Sequence, residues 1–300
     1  MNQNIYQINR REFLKRSGQV AGGLVLANNL LLCSGQPPGA KMRFGLVTYL
    51  WGKDWDLPTL IKNCETAQLL GVELRTTHAH GVEPDLTKEQ RQDVRKRFAD
   101  SPVTLVGIGS NEMYDHPEPE KLNQAIEATR AFIQLSYDVG GSGVKVKPNS
   151  FHENVPREQT IEQIGTALNQ LGAYAADFGQ EIRLEVHGQC SPLPIIKQIM
   201  DIATHPQVKV CWNSNEEDLA GEGLEYNFNL VKDRFGATAH VRELNIGEYP
   251  YEPLIELFVK MDYAGWILLE ARTAPEDRVA AMKAQLALFK EMVAKAQAKC

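Results

Sequence analysis

Ionisable and apolar residues alternate in the stretch RLEVHGQC, residues 183–190. Successive side chains of a strand point to opposite faces, so Arg183, Glu185 and His187 would share one face of a strand formed here. Buried ionised groups need a charged partner or a metal ion, because leaving water without one costs free energy. A carboxylate beside an imidazole on such a face indicates metal binding or proton transfer.

Three later apolar runs carry polar residues of the same kind at or near their ends. VKVCWN ends at Asn213, TAHVREL contains His240, and GWILLEAR contains Glu270. Together with Glu185 they offer two carboxylates, one imidazole and one amide oxygen. These donors suit Mn²⁺, Mg²⁺, Co²⁺ or Zn²⁺ with positions left open for substrate. We therefore predict that Glu185, Asn213, His240 and Glu270 bind one divalent ion, with Mn²⁺ as the first choice.

A layer of structural salt bridges is the alternative interpretation of inward-facing charges. It suits Arg183, Glu73 and Arg75, which lie near the starts or middles of their apolar runs. It suits the residues at the run ends less well, because their donors can converge on one point.

The segments that must position these residues repeat one pattern from residue 41 onward, an apolar run followed by a helical periodicity. Eight such pairs in about 260 residues predict a single-domain (β/α)₈ TIM barrel over 41–300. A doubly wound sheet, the rival fold, needs a glycine-rich turn after its first strand, and TYLWGKDWD (48–56) lacks one. The helices are predicted near 57–70, 88–98, 118–138, 159–178, 192–204, 223–234, 252–261 and 275–297.

The N-terminal segment is predicted to be a targeting signal. NRREFLKRSGQVAGGLVLANNLLLCSG, residues 9–35, resembles a twin-arginine export signal, and GQPPGA (35–40) reads as a linker. A membrane span is disfavoured, because the apolar run is shorter than the ~20 residues that a spanning helix needs. A lipid anchor at Cys33 is the less favoured alternative, because Leu32 is larger than the small residue that processing prefers. We expect residues 1–40 to be signal and linker, and the exported protein to be periplasmic.

The charge balance argues against a nucleic-acid partner. Residues 1–40 hold four Lys/Arg and one Glu, which leaves 28 basic and 37 acidic residues and a formal charge of −9. So acidic a chain repels a phosphate backbone, and no cluster of basic and aromatic residues offsets this. The cysteines lack Cys-x-x-Cys spacing, so no zinc–thiolate site is indicated. We expect a small carbohydrate as partner, with homo-oligomerisation left open.

Four short motifs resemble a known family when taken in order. LEV around Glu185, CWNSN around Asn213, HVREL around His240 and LLEAR around Glu270 are similar to motifs of the xylose isomerase-like barrel superfamily of sugar isomerases and epimerases. The resemblance covers about 42–297 and is strongest to the tagatose-epimerase-like branch. It implies one divalent metal at these strand ends and two glutamates that also move protons.

Position 213 departs from the family pattern. The family carries Asp there, whereas Asn213 keeps a carbonyl oxygen but removes one negative charge. Glu216 stands where the family has a histidine. Both changes bear on metal affinity and on whether the protein turns over a substrate.

The resulting hypothesis is proton transfer next to a sugar carbonyl through an enediolate. Glu185 and Glu270 would take and return the proton, giving epimerisation or aldose–ketose isomerisation. One alternative is a lyase that expels a leaving group from a keto-sugar or keto-glycoside at the same metal site. Another is a non-catalytic sugar-binding barrel, which Asn213 favours. The side chains expected to bind the sugar are His187, Lys147, Arg242, His78, His80 and Trp51.

Overall fold

The computed structural model of the protein describes residues 36–300. The twin-arginine motif, Cys33 and the first residue of the predicted linker lie outside the described residues. From residue 43 onward, eight strands alternate with eight α-helices. The strands are β1 Arg43–Val47, β2 Gly71–Arg75, β3 Thr104–Met113, β4 Gly143–Lys147, β5 Glu181–Glu185, β6 Val208–Cys211, β7 Thr238–Val241 and β8 Trp266–Leu269. The helices are α1 Leu57–Ala67, α2 Lys88–Ala99, α3 Pro119–Val139, α4 Arg157–Ala176, α5 Leu193–Ile202, α6 Leu224–Val231, α7 Tyr251–Lys260 and α8 Arg278–Gln297.

The strands form a parallel sheet in the order β6-β5-β4-β3-β2-β1-β8-β7. The sheet closes between β6 and β7, where the backbone N–H of His240 donates to the carbonyl of Trp212 over 2.6 Å. A second closing bond runs from the N–H of Gly236 to the carbonyl of Val210 over 3.0 Å. The predicted single-domain TIM barrel is therefore confirmed.

The helix boundaries agree closely with the periodicity of the sequence. Thr87 and Gln90 form a capping box at the start of α2, each side chain accepting from the other residue's backbone N–H. Asp56 caps α1 by accepting from the N–H of Thr59. The helix predicted near 223–234 instead ends at Val231 and continues as a 3₁₀ turn, Lys232–Arg234.

One apolar layer surrounds the barrel, and a second, smaller one lies inside it beneath the polar residues. The alternate residues of the strands, among them Leu184, Val210 and Ile267, are fully buried against the helices. A smaller cluster contains Leu268 and Trp266, which share the face of Glu270 along β8 and so lie inside the barrel beneath the strand ends. Within residues 36–300, no helix combines the length and apolar character needed to cross a membrane.

Candidate active site

A cavity of about 490 Å³ opens at the carboxyl ends of the strands. This end carries the active site in TIM-barrel enzymes, because the loops after the strands converge there. Six of the residues predicted for the site line the cavity: Lys147, Glu185, His187, Asn213, Arg242 and Glu270.

Three of the four predicted metal ligands meet in one buried cluster. Glu185, His240 and Glu270 each offer a ligand atom, and these atoms lie within 4.8 Å of one another. Asn213 joins the cluster, since its Nδ2 donates to Oε1 of Glu185 over 2.9 Å. The structure thus brings together all four residues that the sequence placed at the ends of different strands.

Glu73 orients the imidazole of His240. Nε2 of His240 lies 3.3 Å from Oε1 of Glu73, while Nδ1 lies 3.4 Å from Oε1 of Glu185. A carboxylate beside one ring nitrogen fixes the ring and leaves the other nitrogen free to bind a metal. Glu73 is fully buried at the middle of β2. Glu73 therefore does more than form a structural salt bridge, because its carboxylate lies next to the candidate metal ligand His240.

The donor set fits a divalent cation. Oδ1 of Asn213 is buried without a hydrogen-bond partner among the described residues. Unpaired polar atoms are costly to bury and point to a ligand. Two carboxylates, an imidazole and an amide oxygen match Mn²⁺, Zn²⁺, Co²⁺ or Mg²⁺ in ligand type.

Lys145 adds a fixed positive charge that the sequence-based site did not include. Its Nζ donates to Oε2 of Glu185 over 2.8 Å, and both side chains are almost completely buried. Burial lowers the pKa of Lys145, but Glu185, Glu73 and Glu270 outweigh burial and raise it, so the ammonium stays charged. The signal was available, because Lys145 lies two residues before Lys147 on the same face of β4.

The two central glutamates differ in their proton affinity. Burial favours the neutral form of both, but Lys145 and His240 overcome it at Glu185 and hold its pKa well below the usual range. At Glu270 burial is reinforced by the negative charge of Glu185, and the pKa is raised. Such a divergence assigns different roles to paired carboxyl groups: Glu185 stays ionised, and Glu270 holds a proton more readily.

Two further side chains of the predicted sugar site, Arg242 and His187, line the cavity. Arg242 donates to Oδ1 of Asn215 over 3.3 Å. Burial, reinforced by Lys147, Lys145 and Arg75, lowers the pKa of His187 despite Glu185, and so favours a neutral imidazole. Arg75, considered above as a structural residue, instead ends β2 on the cavity wall together with Tyr49. Arg183 does lie deep in the barrel, paired with Glu181 over 2.8 Å and fully buried.

Three residues predicted to bind sugar lie away from the cavity lining. Trp51 is buried and donates its indole N–H to the carbonyl of Thr273 over 3.0 Å. His80 uses both ring nitrogens on backbone groups, the carbonyl of Arg75 and the N–H of Val82. His78 lies 3.2 Å from Oγ1 of Thr48, and burial lowers its pKa to about 4. None of the three lines the cavity. The loop after β2 turns the rings of His78 and His80 toward protein atoms, and the loop after β1 does the same for Trp51.

The closed barrel and the carboxylate–imidazole cluster at its strand ends define a TIM-barrel protein with a candidate metal site. The sequence pattern described as "Xylose isomerase-like TIM barrel" matches residues 61–292. The chain belongs to this family. No curated protein sequence matches the chain.

Similar solved structures include sugar epimerases. An L-ribulose 3-epimerase superimposes with a TM-score of 0.74 at 14% identity, covering 86% of this chain and 96% of that one. The 3-keto-D-glucoside 4-epimerase YcjR from E. coli superimposes with a TM-score of 0.70 at 14% identity, covering 83% of this chain and 99% of that one. The IolI protein with a bound zinc atom superimposes with a TM-score of 0.68 at 14% identity, covering 86% of this chain and 99% of that one. At such low identity, these likenesses establish the fold.

Proposed function

We propose that the protein is a divalent-metal-dependent sugar isomerase or epimerase. The observation that carries the proposal is the buried cluster of Glu185, His240 and Glu270 beneath an open cavity at the catalytic end of a TIM barrel. The family and its epimerase neighbours support a sugar substrate.

The metal would be held by Glu185, His240 and Glu270, with Oδ1 of Asn213 as the fourth donor. When bound, such an ion stabilises negative charge that develops on a substrate oxygen. Glu73 keeps the imidazole of His240 in its binding orientation. The ammonium of Lys145 neutralises part of the carboxylate charge and keeps Glu185 ionised.

Two carboxyl groups of the protein carry out the proton transfer. A carboxylate removes the proton from the carbon next to the carbonyl, and a second carboxyl group returns it, which gives an epimer or an aldose–ketose pair. Glu185 and Glu270 lie close enough to share one substrate carbon, since ligand atoms of the two lie within 4.8 Å.

A lyase is the second candidate, because loss of a leaving group can start from the same enediolate. A non-catalytic sugar-binding barrel is the third, because Asn213 brings less negative charge to a metal than an aspartate would. We also propose that the twin-arginine segment directs export to the periplasm. Since such cargo crosses the membrane folded, the metal would be inserted in the cytoplasm.

Metal analysis combined with hydrogen exchange tests the proposal. The purified protein is assayed for bound metal, and C–H exchange into D₂O is followed by NMR with a panel of keto-sugars. We expect metal-dependent exchange at a carbon next to the carbonyl with the carbon skeleton intact. Exchange with release of a leaving group would favour the lyase. A metal-free protein without exchange for every sugar would contradict both enzyme functions.

A further inference from the structure

Two cationic side chains meet at one neutral oxygen on the cavity wall. Nη2 of Arg75 donates to Oδ1 of Asn111 over 3.1 Å, and Nζ of Lys147 donates to the same atom over 3.3 Å. Both cations line the cavity, at the ends of β2 and β4. Among residues 36–300, no ion pair joins either cation to a carboxylate.

Among the described residues, the two cations therefore have no ion-paired carboxylate, and Lys147 is largely shielded from water. Only 8% of the surface of Lys147 is exposed to solvent. Lys145 repels Lys147, and the ammonium of Lys145 is already bound to Glu185. Glu185, Glu270 and Glu112 attract Lys147, but none of them forms an ion pair with it. Two cations that share one amide oxygen repel each other, so a bound anion would relieve the repulsion.

The guanidinium of Arg75 is held in place before any ligand arrives. It lies over the ring of Tyr49, 4.9 Å from the ring centre, which fixes its plane at the cavity wall. A fixed guanidinium next to an ammonium is suited to an anionic oxygen pair, because each can donate a charge-assisted hydrogen bond.

We infer that Arg75 and Lys147 bind an anionic group of the substrate, so that the substrate is an acidic sugar carrying a carboxylate or a phosphate. This inference rests on the proposed function and specifies its substrate class. The cations lie on the β2–β4 side of the cavity, away from β6, β7 and β8, which supply most of the central cluster. A sugar can therefore place its carbonyl at the glutamates and its anionic end on this wall.

Calorimetric binding of three matched ketoses tests the inference: D-fructose, D-fructuronate and D-fructose 6-phosphate. We expect at least one anionic ketose to bind about tenfold or more tightly than fructose, as charge-assisted hydrogen bonds predict. A preference for the fructuronate identifies a carboxylate, and a preference for the phosphate ester identifies a phosphate. Equal affinity for all three, or no binding of any, would overturn the inference.

Substitutions of the two cations test where the anionic group of the substrate binds. Lys147→Met and Arg75→Met should each abolish most of the advantage that the anionic ketose has over fructose. Lys88→Gln, which removes an exposed charge on α2, is the control for net charge. An advantage that survives in Lys147→Met and Arg75→Met but disappears in Arg242→Met would show that the assigned wall is wrong. Circular dichroism confirms folding of each variant.

The two proposals fail in different ways. Cation-dependent binding of an anionic ketose without any C–H exchange would contradict the isomerase and leave this site standing. Metal-dependent exchange with neutral ketoses, at equal affinity for the charged ones, would support the isomerase and refute the anionic substrate.

Discussion

Nζ of Lys145 lies 2.8 Å from Oε2 of Glu185, with 3% and 2% of the two side chains exposed. This buried ion pair sits inside the candidate metal site, so the protein carries its own cation beside the position where a metal would bind. The pair therefore affects both the stability of the barrel interior and the affinity of the site for a metal ion.

Replacing Lys145 by methionine should destabilise the metal-free protein. Removing one partner of a buried pair typically costs about 3–5 kcal/mol, because the carboxylate of Glu185 would lose the ammonium that offsets its burial. Lys147→Met is the matched control, since Lys147 has no carboxylate partner among residues 36–300 and should cost far less. Urea unfolding measures both, and equal losses would contradict a dominant role for the Lys145–Glu185 pair.

Asn213→Asp should tighten metal binding by about tenfold or more. The added carboxylate places negative charge next to Oε1 of Glu185, which a divalent ion compensates and the empty site does not. Calorimetric titration with Mn²⁺ gives the affinity, and Asn123→Asp on the exposed face of α3 controls for net charge. Unchanged affinity would mean that residue 213 does not ligate the ion.

Glu185→Gln and Glu270→Gln should each slow C–H exchange by about 10²–10⁴-fold, the usual contribution of a positioned proton carrier. Each variant keeps a carbonyl oxygen near the metal position but cannot accept a proton. Metal content is measured in the same samples, so that loss of the ion is not mistaken for loss of the proton carrier. Exchange at the wild-type rate in either metal-loaded variant would remove that glutamate from the mechanism.

Asp218 should make stability depend on pH. It is fully buried, and burial raises its pKa to about 7 from the usual 3.8, against the hydrogen bonds from Asn215 and Tyr249. The unfolded chain ionises first, so this group's contribution is fully present below pH 3.8 and is lost as pH rises through about 7. The loss is at most about 1.4 kcal/mol per pH unit.

Asp218→Asn removes this titration, so its free energy of unfolding should fall less than that of the wild type between pH 5 and 7.5. Glu222→Gln, which changes an exposed carboxylate nearby in sequence, should retain the wild-type slope. Parallel slopes for wild type and Asp218→Asn would show that Asp218 does not titrate in this window.

The barrel and its central residues could be predicted because strand periodicity is a local property. Alternation along β5 and β8 puts Glu185 and Glu270 on the inner face, and parallel strands bring their carboxyl ends to one edge. The predictions for Trp51, His78 and His80 failed, because these residues lie several positions beyond the ends of β1 and β2, where strand alternation no longer sets the direction of a side chain.

Local sequence patterns were sufficient to predict the eight strand–helix units, the acidic charge balance and the set Glu185, Asn213, His240 and Glu270. Which charges pair is visible only once the strands are assembled into the barrel. Lys145 binds Glu185 across neighbouring strands, Glu73 reaches His240, and Arg75 meets Lys147 at Asn111. These partners depend on strand register, which shifts at Val72/Glu73 and again at Gly109/Met113, and a register shift of one residue exchanges the faces of a strand.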